Sequence, residues 1–268
     1  MKKIIILSFS VGMALSLLSS CSSTKEIEAI PAEERFERAK ALFDDGEYLD
    51  AIDQFKIITV QFQGSEYADD AQFYLAQSRF LREEYVLAAS EFENLVRTMP
   101  SSSYANRARY MVALSYYELS PRSQLDQKYT RKALDEFQTY IEYSPKDSLV
   151  PSAEKKINEL TEKLSKKIFD GGKLYYRIDA YRAAIAYFDK VISEYHDSRY
   201  VDQAMFWKAK SYLERKEYSK ASASLDELLL KYPETGLKSD ITDLQKEIDE
   251  DQREAATDKK QELSTTNE

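Results

Sequence analysis

Three stretches of this chain are near-copies of one another: SEYADDAQFYLAQSRF at 65–80, SSYANRARYMVALSYY at 102–117 and SRYVDQAMFWKAKSYL at 198–213. Aligned, they share Ser at the first place, Tyr at the third, Asp or Asn at the fifth, Ala at the seventh and twelfth, and Ser at the fourteenth. A chain assembled from copies of one short unit must cover each unit with its neighbour, and this restricts it to repeat architectures.

A second pattern alternates with the first. Ala51, Ala88, Ala133, Ala184 and Ala221 each stand four residues before a large apolar residue, namely Phe55, Phe92, Phe137, Phe188 and Leu225. Tyr48, Tyr85, Tyr181 and Tyr218 precede their Ala by three residues and Tyr129 by four, and Pro100, Pro145 or Pro233 follows twelve residues after, with Gln63 and His196 in the two exceptions. A small residue lets two helices approach, the residue one turn later fills the gap between them, and Pro stops the helix. The unit is a helical hairpin. The Ala positions are 37 residues apart at either end and 45 and 51 apart in the middle. The first excess is the loop SPRSQLDQ at 120–127; the second carries Ala153, Ile157, Leu160, Leu164 and Ile168 at helical spacing, which predicts one long helix over about 150–177.

Composition agrees with helices: hydrophobic residues make up 43% of the chain, with only 6 Gly and 6 Pro. The net charge of −9 speaks against a nucleic-acid partner, which would ask for a basic stripe. Lys2 and Lys3 followed by the apolar run from Ile4 to Leu18 form a secretory signal over 1–20, too short to be a stable membrane span. Leu18-Ser19-Ser20-Cys21 resembles a bacterial lipoprotein signal, which implies a covalent lipid on Cys21, the chain's one cysteine. Multiple acyl chains hold a protein on a bilayer where one would let go. Ser22 is not the Asp that keeps many such lipoproteins on the inner membrane, and by that analogy the outer membrane is favoured. Residues 21–31 then read as a flexible tether.

The two alternating patterns resemble the tetratricopeptide repeat over five units, about 32–64, 69–101, 106–146, 150–197 and 202–234. The family's small residue in the first helix corresponds to Ala39, Ala76, Ala113 and Ala209, with Gly172 in unit four, and its Gly-Asp-Tyr turn to Gly46-Glu47-Tyr48. The resemblance implies an all-α fold, a right-handed α-solenoid with a concave face. Leu237, Ile241, Leu244 and Ile248 make a stripe suited to a capping helix over 237–253, and 254–268, without apolar periodicity, is expected to be disordered.

Catalytic chemistry is scarce. The single His196 has no second His or thiol to join it in the folded part, so neither a nucleophilic triad nor a zinc site can be assembled. DGGK at 170–173 lacks the upstream Gly and following Ser or Thr of a phosphate loop. Neither an enzyme activity nor a cofactor or metal is expected; recognition remains.

Tetratricopeptide grooves are lined by the first helix of each unit, and that resemblance assigns the groove to Phe36 and Phe43, Phe73 and Phe80, and Tyr110 and Tyr117, each pair seven apart on one helix face. Two readings are open: the rings accept aromatic side chains of a bound peptide, or they pack between adjacent first helices. The whole layout of signal, Cys21, tether and five repeats resembles the BamD family, the lipoprotein subunits of the outer-membrane β-barrel assembly machinery, and GGKLYYRIDAYRAAIAYFDKVISEYHDS at 171–198 is the most telling stretch. The resemblance implies a scaffold anchored to the outer membrane, on its periplasmic face. It would dock on the POTRA domains of the barrel-forming subunit through its C-terminal repeats and receive unfolded outer-membrane protein precursors with its N-terminal ones. Tyr175, Tyr176 and Tyr187 are the docking candidates, Tyr187 falling where the family has a basic contact. Two other readings stand beside it: an envelope adaptor of the cell-division and Tol-associated type, which shares the S-x-Y-A-x-x-A starts, and a nutrient-binding lipoprotein.

Overall fold

The computed structural model describes residues 29–265; Cys21 and the apolar run before it lie outside the described residues. Eleven helices and no strand occur among those residues. They are α1 (Ala32–Asp44), α2 (Tyr48–Gln61), α3 (Ala68–Leu81), α4 (Tyr85–Thr98), α5 (Ala105–Glu118), α6 (Lys128–Tyr143), α7 (Val150–Arg177), α8 (Tyr181–Glu194), α9 (Val201–Glu214), α10 (Tyr218–Lys231) and α11 (Lys238–Thr265). Each packs on the next, giving five antiparallel hairpins and a final helix. First helices also touch one another, α1 with α3, α7 with α9 and α9 with α11, while no second helix has a comparable contact with another second helix. The first helices therefore line the inside of the curve.

The hairpin follows from its small residues. Ala51, Ala88, Ala133, Ala184 and Ala221 are wholly buried, as are the large residues one turn later, Phe55, Phe92, Phe137, Phe188 and Leu225. Burying each such side chain contributes about 1.5–3 kcal/mol. The turn inside four of the hairpins ends its first helix on a residue with positive φ: Gly46 (82°), Glu83 (62°), Asp179 (59°) and Lys216 (58°). The amide after it then bonds back across six residues, as Glu84 N–H does to the Arg79 carbonyl at 2.9 Å, closing the helix end.

The shared Ser, Tyr and Asp places explain how one hairpin is fastened to the next. Ser102 donates to Asp69 (2.7 Å) and Thr235 to Asp202 (2.9 Å), in each case from the loop after a hairpin to the first turn of that hairpin's first helix. The same hydroxyl accepts an amide two residues on, Tyr104 N–H at 3.1 Å and Leu237 N–H at 3.3 Å. The third-place tyrosines lie on the preceding first helix: Tyr67 against Phe36, Tyr104 against Phe73 and Tyr200 against Phe169, with ring centroids 5.3, 4.4 and 5.5 Å apart. The fourteenth-place serines Ser78, Ser115 and Ser211 are buried and donate to the carbonyl one turn back.

The long helix α7 does two jobs. Its first half caps unit three, with Leu160 in the core that begins at Phe73, and its second half opens unit four, with Phe169 in a separate core that runs to Ile248. Polar ties cross at the joint: Glu162 takes the Arg199 amide of the α8–α9 loop at 2.9 Å, while Lys163 donates to Ser120 Oγ at 2.7 Å and Lys167 to the Leu125 carbonyl at 2.9 Å. The inserted loop 120–127 is thus pinned to α7, and inside it the buried Gln127 donates to the carbonyls of Arg122 and Leu125. Gly171 and Gly172 sit inside α7 because α8 comes close: a Cβ on Gly172 would fall 2.6 Å from the Phe188 ring, and one on Gly171 2.7 Å from Tyr187.

The final helix corrects one expectation. Ile241, Leu244 and Ile248 are buried as a cap, but the helix does not stop near 253 to give way to a disordered tail; it continues to Thr265. The stretch from Glu250 to Glu262 has neither Gly nor Pro and is rich in Ala, Glu, Gln, Lys and Arg, residues whose backbone propensity sustains a helix without an apolar stripe.

Candidate functional site

The six rings assigned to the groove divide in two. Phe36, Phe73 and Tyr110 are 9%, 8% and 6% exposed, which makes them core rather than pocket lining. Phe73 is covered by Tyr104 and by Phe92 at 5.7 Å; Tyr110 lies against Phe137 (5.7 Å) and Tyr140 (5.4 Å), and its hydroxyl pairs with Ser152 at 3.0 Å. The groove reading is corrected for these three, because a ring already enclosed by its own hairpin and the start of the next unit has no face left for a ligand. Phe43, Phe80 and Tyr117 are half-buried near the inner turns. Phe43 meets Tyr48 and Tyr74, Phe80 meets Tyr85, and Tyr117 lies under the Lys156 ammonium, 3.8 Å from its ring centre. The Tyr117 hydroxyl donates to Glu159, and that bond together with burial pushes the phenol up to about 12.

A second set of less buried side chains lies one residue further along each first helix. They include Glu37 and Lys40 in unit one, Tyr74 and Gln77 in unit two, Asp170 and Lys173 in unit four, and Trp207 and Lys210 in unit five, all exposed or half-buried. Moving one residue along a helix turns the side chain by about 100°. That single step separates Phe73, stacked on Tyr104 of the next unit, from Tyr74, which turns toward Phe36, Phe43 and Phe55 of the unit before.

The docking candidates lie together where unit four meets unit five. Tyr175 and Tyr187 pack ring to ring at 4.9 Å between α7 and α8, with Tyr187 seated over Gly171. Tyr176 turns toward α9: its ring meets Trp207 edge-on at 5.0 Å and its hydroxyl donates to Glu214 at 2.8 Å. Burial and that carboxylate raise the Tyr176 phenol well above its ordinary range. The Lys173 ammonium lies 4.9 Å and the Lys210 ammonium 5.3 Å from the Trp207 ring centre, a grouping the sequence analysis passed over. Its signal was available: Lys173 and Trp207 are 34 residues apart, the same separation as Lys40 and Tyr74, whose ammonium and ring are 5.2 Å apart.

His196 is a surface side chain beside Asp197 at 3.3 Å. Among the described residues no group of His, Cys, Asp and Glu could hold a metal ion, and no helix is long and apolar enough to cross a membrane.

The chain is similar to several known proteins. The chain is 27% identical over 199 residues, 74% of its length and 79% of the relative's, to the outer membrane protein assembly factor BamD of Rickettsia prowazekii. Among solved structures it resembles the TPR2AB domain of yeast Sti1 in its pHSP90 complex (14% identical, covering 81% of this chain and 98% of that one, TM-score 0.38). A tetratricopeptide repeat protein from Parabacteroides merdae is similar at 15% identity (87% and 79% covered, TM-score 0.36). The model of the YfiO family, described as outer membrane lipoprotein, matches residues 28–222 and again 162–244, nearly the whole run of hairpins. On that match the chain belongs to the YfiO family of outer membrane lipoproteins.

Proposed function

We propose that this chain is a non-enzymatic scaffold subunit of the machinery that assembles β-barrel proteins in the outer membrane, held there by lipid on Cys21 and standing on the periplasmic face. The family match over residues 28–244 carries the reading, and the relative from Rickettsia prowazekii, itself an outer membrane protein assembly factor, supports it. In this reading the C-terminal hairpins dock on POTRA domains of the barrel-forming subunit, with Tyr175, Tyr176 and Tyr187 at or beside the contact. The N-terminal hairpins help receive unfolded precursors, and the half-buried Phe43, Phe80 and Tyr117 are the rings of the original set still able to meet one. The stacked hairpins support a scaffolding role physically, since a repeat array presents a long, preformed surface at little ordering cost on binding.

The test is extraction of the tagged chain from membranes in mild detergent, followed by identification of what co-purifies. The barrel-forming subunit should appear in near-stoichiometric amount, and Cys21→Ala should release the chain from the outer-membrane fraction. Co-purification of cell-division or Tol components without the barrel-forming subunit would overturn the reading.

A further inference from the structure

Where the first helices of the last two hairpins meet, two lysines lie over a ring at the edge of the C-terminal core. Trp207, the one tryptophan of the chain, is half-buried on α9, with Lys173 from α7 and Lys210 from its own helix both over its ring. Neither lysine forms an ion pair among the described residues, although the chain carries nine more acidic than basic residues. Of the carboxylates on this side, Asp170 is paired with Lys166 at 2.7 Å, and Glu214, which accepts the Tyr176 hydroxyl at 2.8 Å, and Glu247 both lie near that phenol.

The same register in the first two hairpins shows what a closed version looks like. There Lys40 lies over Tyr74 but is paired with Asp44, and Tyr74 is surrounded by Phe36, Phe43, Phe55, Phe73 and Tyr104 within 6.4 Å. At Trp207 the ring partners are Tyr176 and Phe206, and the position of Asp44 is taken by Arg177, a second cation in place of the neutralising carboxylate. Both rings are half-buried, but only the lysine at the first has a carboxylate partner among the described residues.

We propose that this face is a binding site for an acidic peptide segment, whose carboxylate bridges Lys173 and Lys210 while the adjoining apolar side chain packs on the lysine stems beside the Trp207 indole. A ring face holds an ammonium in place by its quadrupole but uses none of its N–H donors, so those donors stay available. A carboxylate meets them with charge-assisted hydrogen bonds, which are the stronger interaction, so the two lysines arrive pre-positioned rather than having to be ordered on binding. Two ammonium groups flanking one flat apolar surface select a ligand that alternates carboxylate and apolar side chains. The inference holds independently of the assembly reading, because it rests on the charge and geometry of these residues.

Trp207 supplies its own readout. Titration of the whole folded region with an N-acetylated peptide of Glu-Leu repeated four times should change Trp emission saturably, and the Gln-Leu counterpart should bind at least tenfold more weakly. Lys173→Ala with Lys210→Ala should weaken the Glu peptide at least tenfold with helical content unchanged, and Lys173→Arg with Lys210→Arg should keep it within about threefold. No saturable response to the Glu peptide, equal binding of the Gln peptide, or unaltered affinity in the Ala pair would overturn the proposal. So would a saturable response to phosphatidylglycerol vesicles that exceeds the response to the peptide, which would assign the site to lipid headgroups.

Discussion

Asp69 and Ser102 lie 33 residues apart and are joined by a 2.7 Å hydrogen bond, and Asp202 and Thr235 repeat both the separation and the bond. The bond ties the loop that leaves one hairpin to the start of that hairpin, and it also places a carboxylate in the first turn of a helix, where the dipole favours it. A hydrogen bond to a charged group is worth about 1.5–3 kcal/mol. Asp202→Ala should therefore cost about 1.5 kcal/mol in urea unfolding. Asn106 holds the equivalent place in unit three and bonds only its own helix, to Arg109. Asn106→Ala should be nearly neutral, and equal losses at the two positions would discredit the staple.

Gly172→Ala should destabilise, against the usual sign. Replacing a helical Gly by Ala ordinarily gains up to about 1 kcal/mol in propensity. Here the new methyl would meet the fully buried Phe188 ring at 2.6 Å, and overpacking of that kind costs about 1–3 kcal/mol. Gly171→Ala meets Tyr187, which is half-buried and can move aside, so its cost should be the smaller of the two. A thermal midpoint raised by Gly172→Ala would show that α7 and α8 sit further apart than described.

Phe73→Ala should behave as a core deletion. Truncating a buried Phe costs about 3–5 kcal/mol, and the loss should appear in unfolding midpoints and in amide-exchange protection across α3, α4 and the α4–α5 loop. A variant that kept its stability while losing peptide affinity would restore Phe73 to the groove.

Glu84 makes the second hairpin sensitive to acid. Hydrogen bonds from Arg82 and then Arg79 hold its carboxyl below the ordinary 4.5. The unfolded chain thus takes up this proton at higher pH than the folded one. The contribution is complete above about pH 4.5 and is lost as pH falls through the lower folded value. Urea midpoints at pH 7 and pH 3.5 should differ less in Glu84→Gln than in the parent chain, and an identical acid loss in both would assign the sensitivity elsewhere.

The hairpins were legible because their phase depends on residue size. Only a small side chain fits where Ala51, Ala88 and Ala221 sit fully buried, so the spacing of Ala and the large residue one turn later reports the packing directly. The long α7 was legible for the same reason, through Ala153, Leu160 and Leu164. The aromatic wall was not, since a first helix inside a solenoid is covered on several faces and a seven-residue period fits each of them. Phe73 and Tyr74 differ by one step of the helix, and only the neighbouring unit decides which of them it covers. The helix after Ile248 escaped notice because from Asp249 to Asp258 it buries almost nothing and so leaves no periodic trace.

The division of core along α7 has a mechanical consequence. Leu160 is fixed to the second and third hairpins and Phe169 to the last two, with Leu164 and Ser165 buried between them in neither cluster. Held by its two ends and stretched, the molecule would concentrate strain at this joint, where the halves share the single helix α7, the buried Leu164 and polar ties such as Glu162 to Arg199 and Lys163 to Ser120. Each half would then come apart hairpin by hairpin under its own force, so that a tethered chain pulled on from outside could pay out length at one end while the other kept its grip.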